Sequence, residues 1–154
     1  MPKTLLAVDL GVRTGLALFG EDGRLRWYRS QNFGNAARLR RAVPALLDEA
    51  GEVGYLVVEG GGALAQAWAR EAAARQIEVV WVTAEEWRQL LFYPREHRTG
   101  EMAKKRAEEM ARKVIEWSGA RKPTSLRHDA AEAILVGLWG VLRVGWLRQL
   151  PVTR

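Results

Sequence analysis

Apolar runs, each closed by a single acid, set the frame of this chain. Leu5-Leu6-Ala7-Val8 is continuous and ends at Asp9, the pattern of a strand buried on both faces. Leu16-Ala17-Leu18-Phe19 reads as the strand returning after a tight turn permitted by Gly11 and Gly15. Asp22-Gly23 is a hairpin signal, and Arg24 to Arg29 alternates partially. Three antiparallel strands are therefore predicted to open the fold. After a loop at 32–35, Leu39, Val43, Leu46 and Leu47 recur at helical spacing, with Arg38, Arg40 and Arg41 on the other side. Pro44 inside that pattern predicts a kink or a helix starting nearer Val43, and Gly51 predicts a stop.

Gly54-Tyr55-Leu56-Val57-Val58-Glu59 is the second buried strand, again ending in an acid. Gly60, Gly61 and Gly62 turn the chain into an alanine-rich helix over 63–75, and 77–82 is a further strand. Thr83 is placed to cap a short helix carrying Trp87, Arg88 and Leu91, with Glu86 at the capping-box position. Residues 92–100, with Pro94, Arg95, His97 and Arg98, read as an exposed basic loop. A charged helix over 101–117 is predicted to bury Met102, Ala103, Met110, Val114 and Trp117 and to expose Lys104, Lys105 and Arg106. A basic linker at 121–125 leads to a last helix that starts near Leu126 or Arg127 and runs through Val141. Three antiparallel strands followed by alternating strand and helix predict an α/β fold, a five-stranded mixed sheet flanked by helices on both faces.

Composition narrows the setting. The 154 residues suit one domain, 1–154, large enough for a core without staples. Cysteine is absent, which excludes disulfides and thiolate metal sites and fits a reducing, cytoplasmic setting. Neither a signal-peptide pattern at Met1-Pro2-Lys3-Thr4 nor an apolar segment of membrane-spanning length is present in the sequence. A net charge of +6 favours polyanionic partners, nucleic acid first. The apolar tail containing Trp139, Val141, Trp146 and Leu147 either covers the sheet or joins another subunit.

The acids carry the chemistry. Asp129 and Glu132 lie three residues apart on an otherwise apolar helix, so they share a face. Each acid alone also fits a strand end or an exposed first turn. Taken together, Asp9, Glu59, Asp129 and Glu132 come from two strand ends and one helix, and adjacent strands lie ~5 Å apart. Gathered carboxylates repel unless hard cations such as Mg²⁺ or Mn²⁺ neutralise them. Acids of this kind on a basic chain suggest a metal-dependent nuclease.

At this point the sequence resembles a known group. Asp9-Leu10-Gly11 with Thr14-Gly15, Val57-Val58-Glu59, and His128-Asp129-Ala130-Ala131-Glu132-Ala133 look like the RuvC-type Holliday junction resolvases of the ribonuclease H-like superfamily. The resemblance implies a ribonuclease H-like fold and two Mg²⁺ ions held by Asp9, Glu59, Asp129 and Glu132. It also implies a homodimer that nicks opposing strands of a four-way junction in branched DNA, in a bacterial or phage setting. A branch-migration helicase partner is not readable from the sequence. Lys104 fits the family's lysine near the scissile phosphate, with Lys105 beside it. Arg88 stands where many members carry a basic residue, and Arg13 and Arg98 complete the expected nucleic-acid contacts. Two departures stand out: Glu132 replaces the usual final Asp, and Gly60 to Gly62 offer no side chain to stack on a base. The readings kept alongside are a YqgF-like RNA-processing nuclease, a non-catalytic nucleic-acid-binding module and, for the opening hairpin, a sugar-kinase or actin-like ATPase.

Overall fold

The opening strands form where the apolar pattern places them. In a computed structural model, which describes residues 3–154, they are β1 (Thr4–Asp9), β2 (Arg13–Gly20) and β3 (Leu25–Asn32). The expectation about Met1 and Pro2 lies outside the described residues. Helix α1 (Ala36–Ala50) leads to β4 (Val53–Glu59), α2 (Gly62–Ala74), β5 (Glu78–Val82) and α3 (Ala84–Leu91). A 3₁₀ turn (Pro94–His97), α4 (Gly100–Ser118) and α5 (His128–Arg143) follow. The sheet runs β3-β2-β1-β4-β5, antiparallel across the first three strands and parallel from β1 to β4 to β5.

Alternation along the strands divides the core in two. Leu6, Val8, Leu16 and Leu18 pack with α1 and α2 on one face. Leu5, Ala7, Ala17, Phe19 and Val57 pack with α4 and α5 on the other. By the same period of two, Asp9 belongs to the face of Leu5 and Ala7, and Glu59 to that of Val57. Helix α5 is the spine of this layer: every residue from Ala130 to Val141 is buried. It can lie this close because Gly15 has no side chain, since a Cβ there would meet the Asp129 carbonyl oxygen at 2.0 Å. Gly15 thus serves the approach of α5 and not the hairpin turn to which its sequence position assigned it. The apolar tail covers its own sheet layer: Trp146 meets Tyr55 edge-on at 5.6 Å, and Leu147 lies over Gly23.

Several expectations need correction. Helix α1 is already formed at Ala36 and passes through Pro44, on a face where Arg40 and Arg41 are exposed to solvent. Met102 is 43% exposed, because the buried stripe of α4 runs through Ala103, Arg106, Ala107 and Met110. Arg106, expected on the solvated side, is buried, with its Nε 2.8 Å from Glu96. Nor is 92–100 wholly an exposed loop: Phe92 is buried edge-on against Trp87, and the 3₁₀ turn holds Glu96 against Arg106. No helix among the described residues is long and apolar enough to cross a membrane.

Candidate active site

Strand register builds the site. Asp9 pairs with Gly15 on β2 and with Glu59 on β4, and Gly15 pairs with Ser30 on β3. Ser30, Gly15, Asp9 and Glu59 therefore form one row across the sheet, on the face that α5 covers. The first turns of α5 sit over Gly15, so Asp129 and Glu132 descend onto this row from above.

Asp9, Glu59 and Glu132 come together: each offers a carboxylate oxygen, all within 4.8 Å of one another. Asp129 stands beside them, its Oδ2 accepting a 2.8 Å hydrogen bond from the Ser30 hydroxyl. The chain thus groups three of the four expected acids and ties the fourth to β3. Trp87 fixes Glu59 from α3, its Nε1 donating to Oε1 at 3.4 Å. Glu132 meets two nitrogen groups on the same oxygen, Oε1: His128 Nε2 at 2.5 Å and the Arg88 guanidinium at 3.6 Å. Among the described residues no cation pairs with Asp9 or Glu59.

That imbalance is visible in the proton affinities. The Asp9 carboxyl is pushed up to about 9, first by burial, then by a hydrogen bond with Glu59 and by the charges of Glu132, Glu59 and Asp129. Glu132 also rises, through burial and the charge of Glu59, although His128 and Arg88 pull the other way. An anionic oxygen cluster that cannot ionise fully without a counter-charge fits a hard divalent cation, which takes carboxylate ligands. Asp9, Glu59 and Glu132 are the residues that could hold one.

The expected basic contacts distribute unevenly. Arg88 is drawn inward onto Glu132 and over the Trp87 ring. Arg13 is exposed at the start of β2, the sheet end that carries the acids. Lys104 and Lys105 are exposed on the early turns of α4, and Arg98 is exposed before it; none of the three pairs with a site acid among the described residues. Sequence reasoning missed Ser30 and Trp87 as partners of the acids. Ser30 could have been found by extending the hairpin register from Asp9 through Gly15; Trp87 carried no comparable signal.

Strand order β3-β2-β1-β4-β5, with helices on both faces of the mixed sheet, is a ribonuclease H-like α/β fold. Its likeness among solved structures is to the RuvC-type resolvases. T. thermophilus RuvC in complex with Holliday junction substrate superposes with a TM-score of 0.62 at 15% identity, over 94% of this chain and 97% of that one. The yeast mitochondrial Holliday junction resolvase Ydc2 superposes with a TM-score of 0.50 at 11% identity, over 92% of this chain and 81% of that one. No protein-family model matches the sequence, and no curated protein sequence does. The shared feature is the fold.

Proposed function

We propose that this chain, acting as one domain, is a Mg²⁺- or Mn²⁺-dependent endonuclease that cuts branched DNA, as a Holliday junction resolvase does. The observation that carries the reading is the meeting of Asp9, Glu59 and Glu132 within 4.8 Å on a basic chain. Asp129, next to them on Ser30, is the fourth ligand of a two-ion site. A bound ion pair ~4 Å apart would activate water and stabilise the leaving oxygen of a phosphodiester. The chain's own part is to hold the acids: the sheet fixes Asp9 against Glu59, Trp87 orients Glu59, and His128 and Arg88 hold Glu132 by one oxygen. Lys104 is the proposed contact to the scissile phosphate, with Arg13, Arg98 and Lys105 contacting the backbone nearby. A four-way junction is two-fold symmetric, so paired cuts call for a homodimer.

The test is cleavage of three labelled substrates, a four-way junction, a linear duplex and an RNA–DNA hybrid, with and without Mg²⁺. Symmetric nicks in the junction, lost with EDTA and in Asp9→Asn, are expected. Cleavage of the hybrid alone would replace the resolvase by an RNA-directed nuclease, and undiminished activity of Asp9→Asn would remove the metal site.

A further inference from the structure

A second feature lies on the same sheet layer, further along β3. The linker between α4 and α5 runs beside this edge strand, tied to it at Tyr28, whose hydroxyl donates to the Arg121 carbonyl. At the start of β3 the Leu25 amide donates to Ser118 Oγ at 2.9 Å. Between strand and linker lies an open cleft of about 440 Å³, lined by Arg26, Tyr28, Arg121, Lys122, Pro123 and Thr124 among others. Arg112, from α4, lies close enough to act on the Tyr28 hydroxyl together with Arg121. Of the carboxylates nearby, Asp22 pairs with Arg26 at 3.4 Å and Glu108 with Arg112 at 3.6 Å, and Glu116 lines an adjoining pocket with Arg112 and Lys122. Arg121 and Lys122 are exposed and form no ion pair among the described residues.

Position gives the cleft its meaning. Tyr28 is two residues from Ser30, and Ser30 holds Asp129, so both side chains belong to the face that carries the acids. The linker itself ends at His128, where α5 delivers Asp129 and Glu132. A backbone leaving the acids along β3 would meet successive cations and an aromatic hydroxyl, with no carboxylate among the residues that line the cleft. We infer that this β3–linker cleft is a phosphate-binding track that holds the DNA backbone of the substrate beyond the cutting site, with Arg121 and Lys122 as its principal contacts. The inference rests on the proposed DNA-cutting function and adds to it a place for the strand away from the metal ligands.

The experiment measures binding of a fluorescent DNA four-way junction in EDTA, across a salt series, for the full chain. Each lost phosphate contact lowers the slope of log affinity against log salt by ~1. Arg121→Gln/Lys122→Gln is expected to flatten the slope by about 2 and to weaken binding roughly tenfold or more at moderate salt. Arg121→Lys/Lys122→Arg should keep both slope and affinity. Arg40→Gln/Arg41→Gln, which removes the same charge from the exposed side of α1 on the opposite face, should leave the slope unchanged. Equal loss in both Gln pairs would make the effect one of net charge and overturn the track. An unchanged slope in Arg121→Gln/Lys122→Gln, in a wild type that binds and cuts junctions, would also overturn it and leave the nuclease reading standing. A wild type that neither binds nor cuts DNA would overturn both.

Discussion

Replacing Asp9 by Asn tests the charge imbalance at the centre of the site. In the metal-free protein the Asp9 carboxyl holds its proton up to about 9, whereas in the unfolded chain it releases it near 3.8. Between those values the folded state binds more protons than the unfolded one, so stability falls as pH rises. The contribution is complete below pH 4 and is progressively lost towards pH 9. The slope approaches ~1.4 kcal/mol per pH unit, which from pH 5 to pH 8 amounts to at most about 4 kcal/mol. Asn keeps the shape of the neutral acid and cannot ionise. At pH 5 the two proteins should therefore match within ~2 kcal/mol, and at pH 8 in EDTA the Asn protein should be the more stable by several kcal/mol. Urea unfolding at several pH values measures the difference, and saturating Mg²⁺ at pH 8 should restore the wild type while leaving Asp9→Asn almost unmoved. A stability difference that is the same at pH 5 and pH 8 would refute the reasoning.

Two further perturbations probe how the site is held. Gly15→Ala places a methyl group 2.0 Å from the Asp129 carbonyl oxygen, a backbone atom that cannot turn aside, and should cost ~3 kcal/mol or more and abolish cleavage. A thermal midpoint within a few degrees of wild type would show that α5 is not seated on β2 this way. Arg106→Met leaves Glu96 without its 2.8 Å partner and should cost about 3 kcal/mol in urea unfolding. Part of that loss should return in Arg106→Met/Glu96→Gln, and no recovery would mean the pair itself contributes little.

Sequence pattern sufficed where local chemistry and burial agree. The runs ending at Asp9 and Glu59 are apolar because both faces of β1 and β4 are covered, and an acid closing such a run stands out. Capping was equally readable: Thr83 and Glu86 form the reciprocal box on α3. What escaped depended on contacts between distant parts of the chain. Helical spacing alone does not decide between Met102 and Arg106 for the buried side of α4, because Glu96, on a separate turn, makes burial of the arginine tolerable. Likewise the Ser30 bond to Asp129 spans 99 residues and the Trp87 bond to Glu59 spans 28, distances at which periodicity is silent. The opposite error occurred at Gly15, where a turn-forming residue was read locally although its missing side chain makes room for a helix.

The helix that delivers Glu132 is also the one most deeply enclosed by the rest of the molecule. An element so embedded cannot swing aside, so the gathering of the carboxylates and the native state are acquired and lost together. Amide exchange along α5 should proceed only through whole-molecule opening, and heat inactivation should track cooperative melting with no earlier phase. Adaptation to a new nucleic-acid shape would then fall to the periphery, leaving the spine unaltered.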